Sequence, residues 1–158
     1  MRIIGIDPGT GRLGFGVIEI AKGNKVHFVT GGVITTPAHT SLPMRLEDIY
    51  DSLHEIIEET KPDVMSIEKL FFAQNVTTAI SVSHARGVAM LVGQQRHLEI
   101  AEYTPLQIKQ TLTGYGRADK KQMQEMVRIH LNMKEVPQPD DAADALAAAI
   151  THSLMTRV

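Results

Sequence analysis

The rhythm of apolar and polar positions changes along this chain. Ile3-Ile4-Gly5-Ile6 has no polar position, which predicts a strand buried on both faces over 3–6. Asp7-Pro8-Gly9-Thr10-Gly11 ends it with a turn signal, because proline and glycine fix the backbone there. Residues 14–20 and 26–36 read as two further strands around the turn Lys22-Gly23-Asn24-Lys25, and three strands with short links predict an antiparallel meander. The period then changes. Leu42, Leu46, Ile49, Leu53, Ile56 and Ile57 recur at spacings of three and four, predicting an amphipathic helix over 42–60 that Pro62 closes off. A fourth strand is expected over 64–68, with Met65 and Ile67 on one face and Glu68 on the other. A helix rich in small residues should follow over 77–96, then a short strand over 100–103 and helices over 105–112, 120–131 and 141–155. A meander followed by alternating helix and strand gives the α/β class, a mixed sheet covered by helices.

Length and composition narrow the picture without changing it. The 158 residues suit a single domain spanning 1–158. An apolar fraction of 43% and a charged fraction of 22% are those of a globular chain. No apolar run is long enough to span a bilayer, and the first carboxylate comes too early for a secretory signal, so the expected compartment is the cytoplasm. Cysteine is absent, which excludes disulfides, thiolate metal sites and cysteine nucleophiles. The seven histidines show no short ligand spacing, so a metal here would be held by oxygen donors, which favours magnesium or manganese.

Charge adds a second layer. The net charge is −2, yet residues 45–69 carry eight acids against three bases and residues 103–134 carry six bases against two acids. A polyanion needs a local basic footprint rather than a high overall charge, although a solvated basic face would look the same. Four carboxylates stand out by position. Asp7 closes the first strand and Glu68 the fourth, while Asp141 and Asp144 sit one turn apart on one face of the last helix. Each has a plainer reading: Asp-Pro-Gly also makes turns, and aspartate also caps helix starts. If the four converge, they need divalent cations to stay ionised together. Two magnesium ions in such a site would suit in-line displacement at phosphorus.

Five blocks in order resemble one family over nearly the whole chain. They are Gly5-Ile6-Asp7-Pro8-Gly9, Ile67-Glu68-Lys69-Leu70-Phe71-Phe72, Ser83-His84-Ala85-Arg86-Gly87-Val88-Ala89, Ile108-Lys109-Gln110-Thr111-Leu112-Thr113-Gly114 and Asp141-Ala142-Ala143-Asp144-Ala145-Leu146-Ala147. The chain resembles the RuvC family of bacterial Holliday-junction resolvases, within the ribonuclease H-like superfamily. The resemblance implies a five-stranded mixed sheet, with strands one to three as the meander and strands four and five parallel. It implies metal-binding catalytic carboxylates at Asp7, Glu68, Asp141 and Asp144, with two Mg2+ ions per site and Mn2+ as a substitute. It places DNA-binding roles on Phe71, a base-stacking aromatic, with Phe72 beside it, and on Lys109 and Lys120, with Lys121 as a stand-in for the latter. It also implies a homodimer paired through the small-residue helix, a four-way DNA junction as substrate, and the branch-migration proteins RuvA and RuvB as partners.

The expected reaction is a pair of nicks in two strands of like polarity, leaving 5′-phosphate and 3′-hydroxyl ends, in recombination and DNA repair. Asp140 departs from the pattern: it gives three acids where two would suffice, and Asp141 and Asp144 are taken as the ligands, with a shift to Asp140 left open. Three other readings stay open at this point. They are an actin- or hexokinase-like ATPase using Asp7-Pro8-Gly9-Thr10, a junction-binding module without catalysis, and a ribonuclease H-like nuclease acting on other nucleic acids.

Overall fold

The computed structural model describes residues 1–70 and 76–156. Three strands, β1 (Arg2–Asp7), β2 (Arg12–Ile20) and β3 (Val26–Thr35), form the meander, joined by tight turns; Gly23 and Asn24 take positive φ in the second. Helix α1 (Leu42–Thr60) leads back to β4 (Val64–Glu68), and α2 (Val76–Gln95) to β5 (Glu99–Tyr103). Three helices complete the chain: α3 (Pro105–Thr113), α4 (Lys120–His130) and α5 (Asp140–Met155). The strand order is β3-β2-β1-β4-β5, antiparallel through the meander and parallel from β1 to β4 and β4 to β5. This is the mixed sheet that the sequence implies. Element limits differ from the sequence reading by no more than two residues, as at β2, which begins at Arg12.

Each strand sorts its side chains between two cores. Ile4, Ile6, Met65 and Ile67 pack with Ile49 and Leu53 of α1 and Ala85 and Ala89 of α2. The alternate positions face the other way, where Ile3, Ile18 and Val64 join Ile108 of α3, Val127 of α4 and Ala149 of α5. The two-residue period of a strand thus serves a helical layer on each side. Glu68 falls on the α5 side, opposite Met65 and Ile67, as the alternation requires.

The α5 layer lies unusually close to the sheet because the sheet offers glycine under it. A Cβ on Gly5 would stand 1.8 Å from the Ala145 carbonyl oxygen, and one on Gly14 would stand 2.1 Å from that of Asp141. Gly14 pairs with Asp7 and Gly16 with Gly5, so the glycines form one bare patch across β1 and β2. The helix answers with small residues: Ala142, Ala143, Ala145, Ala147, Ala148 and Ala149 are all buried. Ser66 of β4 donates to the Ala148 carbonyl at 2.7 Å, pinning the same helix from the neighbouring strand. Among the described residues no helix is long and apolar enough to cross a membrane.

The patch leaves no room for a methyl group. Gly5→Ala is expected to lower unfolding stability by about 3 kcal/mol, the upper range for an overpacked core, since the obstacle is backbone rather than a movable side chain. Urea unfolding of the two proteins measures this; an unchanged midpoint would mean that α5 can lift off the sheet at little cost.

Candidate active site

Register alone brings two carboxylates together. β1 and β4 run parallel with Ile6 opposite Ile67, so the next residues along, Asp7 and Glu68, emerge side by side at the ends of adjacent strands. Both point to the α5 face. Asp144, one turn into α5, meets them there, and a cleft of about 300 Å³ opens between Asp7, Glu68, Asp144, Lys109, Asp119 and Lys120. A second lobe of similar volume continues past Asp7 and Glu68 towards Lys69, Val82 and Arg86. The two carboxylates at the strand ends therefore form the ridge between two lobes of one groove.

Burial and mutual repulsion set the electrostatics. The Asp7 carboxyl is pushed up to about 7, first by burial and then by the charges of Asp144, Glu68 and Asp141, with Lys120 opposing. Glu68 is raised by burial and by Asp144, against Lys109. Asp144 is raised by burial too, then lowered by Lys120 and raised by Asp140 and Asp141. Three half-buried acids that each resist ionisation make a site short of positive charge. Lys109 supplies part of it to Glu68, and Lys120 to Asp7 and Asp144.

Three of the acids have cationic neighbours that the sequence did not reveal. Arg12, the first residue of β2, donates from Nε and Nη2 to the same Oδ2 of Asp141, at 2.9 and 2.7 Å. The Lys120 ammonium lies 3.1 Å from Asp140 and 3.8 Å from Asp144. Asp140 also accepts from the Gln124 side chain at 3.1 Å, so it ties the start of α5 to α4 and points to Lys120 rather than to Asp7. Of the competing acids, Asp141 is the one whose charge reaches Asp7. Among the described residues, no three His, Asp or Glu side chains close into a ready-made metal cage. The donor set nonetheless fits a hard divalent cation: every candidate is a carboxylate, and the acids lack compensating charge.

The basic candidates divide. Lys109 and Lys120 line the cleft, each on a helix opened by a reciprocal cap: Thr104 with Gln107 for α3 and Asp119 with Gln122 for α4. Lys121 is exposed on α4 and is not among the residues that line the cleft. Phe71 and Phe72 lie outside the described residues. Arg12 was missed because its partner is 129 residues away, and no local pattern signals such a contact.

Comparison with known proteins gives the family and the fold. A family model described as "Crossover junction endodeoxyribonuclease RuvC" matches residues 3–152. The proteins of that name from Alkaliphilus metalliredigens and Thermosipho melanesiensis are 52% and 51% identical to this chain. The first match covers 97% of this chain and 93% of the relative, the second 99% of each. The structure of T. thermophilus RuvC in complex with a Holliday junction substrate superposes with a TM-score of 0.93 at 33% identity, covering 99% of this chain and 95% of that one. The yeast mitochondrial Holliday junction resolvase Ydc2 shares the fold, with a TM-score of 0.70 at 14% identity over 96% of this chain and 77% of its own.

The raised Asp7 carboxyl carries a stability signature in metal-free buffer. Between its ordinary value of 3.8 and about 7, the native chain keeps a proton that the unfolded chain has released, so stability falls as pH rises through that window. Asp7→Asn removes the charge, and the variant should be more stable than the parent at pH 8 by up to about 4 kcal/mol, with little difference at pH 4. Urea midpoints at the two pH values in EDTA test this; parallel profiles would place the Asp7 carboxyl in its ordinary range.

Proposed function

The chain belongs to the RuvC family of crossover junction endodeoxyribonucleases, and from that membership we propose that it resolves four-way DNA junctions through Asp7, Glu68, Asp141 and Asp144. The family's nucleases are metal dependent; Mg2+ is the cation we assign here, with Mn2+ able to replace it. The observation that carries the assignment of residues is the convergence of Asp7, Glu68 and Asp144 on one groove whose rim holds Lys109 and Lys120. When bound, a pair of divalent ions supplies charge neutralisation and a reactive water for in-line attack at phosphorus.

The protein's own residues do the positioning. Asp7 and Glu68 leave from paired strand backbone, which fixes where their side chains begin. Asp144 closes the site from the opposing helix. Arg12 takes up Oδ2 of Asp141 and thereby orients that carboxylate. Lys109 and Lys120 stand where a phosphodiester entering the groove would need counter-charge, a positioning contact that carries no sequence information. Phe71 is assigned to base stacking with Phe72 as its neighbour on the DNA, and Lys121 stands in for Lys120 at the DNA backbone. Hydrolysis would leave a 5′-phosphate and a 3′-hydroxyl.

Two such sites are needed for paired nicks. The exposed face of α2 supports pairing of two copies: Val76, Ile80 and Leu91 are 66%, 52% and 51% exposed and follow one face of the helix with Gly87. A Cβ on Gly87 meets nothing within 4 Å, which leaves room for a partner helix at close range. A twofold dimer would present two identical grooves to two strands of like polarity. We assign the whole of residues 1–158 to one nuclease domain acting in the cytoplasm, with RuvA and RuvB as partners in branch migration.

Cleavage of a synthetic four-way junction, mapped on all four strands with Mg2+, Mn2+ or EDTA, tests the function. Paired nicks in opposing strands with either metal and none in EDTA are expected, and Asp7→Asn should bind the junction without cutting it. Equal cutting of linear duplex would move the activity to another substrate. Pairing has its own test. Ile80→Asp should convert a dimer to a monomer in sedimentation and abolish the second nick; a dimer that survives it would place the interface elsewhere.

A further inference from the structure

The helix that we assign to pairing also touches the catalytic strands from beneath. Arg86 projects from α2 on the sheet face opposite α5, with a side chain only 18% exposed. Its Nε donates to the main-chain carbonyl of Glu68 at 3.1 Å. Its Nη2 forms an ion pair with Glu102 of β5. Glu102 stands opposite Ile67 in the β4–β5 register, one residue short of Glu68. One rigid guanidinium thus bridges a helix and two strands at the point where the ladder ends, for the last rung there is Lys69 N–H to Tyr103 at 2.7 Å.

We propose that Arg86 is a positioning residue for Glu68, holding its main-chain carbonyl while Glu102 holds the guanidinium. A carboxylate at a strand end keeps its aim only as well as its own backbone does, and Glu68 is the last residue of β4. The same helix secures the other catalytic strand: the Ser81 and Thr10 hydroxyls share a 2.5 Å hydrogen bond in the turn that follows Asp7. α2 therefore fixes the exits of both carboxylate-bearing strands, and a helix displaced on its pairing face would carry both with it. The inference rests on the resolvase reading for the meaning of Glu68, while the contacts stand without it.

Arg86→Lys keeps the charge and loses the fork, Glu102→Ala leaves Arg86 in place without its anchor, and the double variant measures their coupling. Three readouts apply: manganese affinity of the DNA-free protein by calorimetry, junction affinity in EDTA, and single-turnover cleavage rate. Each single variant should weaken manganese binding and slow cleavage by about 10- to 100-fold, the range for residues that orient a metal ligand. Junction affinity and the dimer should be unchanged, and the double variant should be no worse than the more damaged single.

Manganese affinity and rate at the parental level would overturn the proposal, as would additive losses. A fall in junction affinity with a flatter salt dependence would also overturn it, by making Arg86 a DNA contact. Should Arg86→Lys fail to fold, Glu102→Ala alone decides, on the same criteria. A parent that binds manganese but cuts no branched DNA would sink the resolvase reading and still leave the titration to decide on Arg86. A parent that binds no manganese overturns the proposal itself.

Discussion

The site depends on the contact between the α5 backbone and the bare patch made by Gly5, Gly14 and Gly16. Helices usually pack on sheets through a layer of side chains. Here the helix carbonyls of Asp141 and Ala145 lie where Cβ atoms of β1 and β2 would otherwise stand. That closeness brings the first turn of α5 down to the level of Asp7, so that Asp144 shares a cleft with two strand-end acids. It also explains the composition of the helix. With alanine on nearly every side, α5 has no wide apolar stripe of its own and is held by near-complete burial, by Ser66 on the Ala148 carbonyl and by Tyr103 on His152 at 2.8 Å.

The same closeness has an electrostatic cost. Acids that a looser fold would leave in water are brought together out of it, and the Asp7 carboxyl rises to about 7 as a result. The surrounding cations are arranged around this problem from four directions: Arg12 from β2, Lys109 from α3, Lys120 from α4 and, through the backbone, Arg86 from α2. Hydrophobic packing sets the distance between the acids, and these basic groups set their orientation and partial neutralisation.

Much of this was legible in the sequence, for identifiable reasons. The run Ile3-Ile4-Gly5-Ile6, the three-and-four spacing from Leu42 to Ile57 and the Pro62 stop are local signals, and the corresponding elements form where they indicate. Strand alternation also assigned Glu68 to the side away from Met65 and Ile67, which the two cores bear out. The carboxylates stood out because glutamate is unexpected at a strand end. What was not legible is contact between remote segments. Arg12 with Asp141 and Arg86 with the Glu68 carbonyl depend on register and helix placement, which no window of neighbouring residues encodes. Asp140 looked like a rival ligand because sequence shows adjacency and not direction; its side chain turns to Lys120 and Gln124.

The order of the elements also controls when the groove can exist. Asp7 is in the first strand and Glu68 in the fourth, but Asp144 and the lid over the glycine patch belong to the last helix. While the chain is being synthesised, the sheet can pair through β5 with its glycines uncovered and its two strand-end acids facing water. Only when α5 has docked does Asp144 join Asp7 and Glu68, and only then does the cleft have the wall that this helix supplies. A chain lacking that helix is therefore without a complete cutting centre, because Asp144 and the cover over the glycine patch are both missing from it.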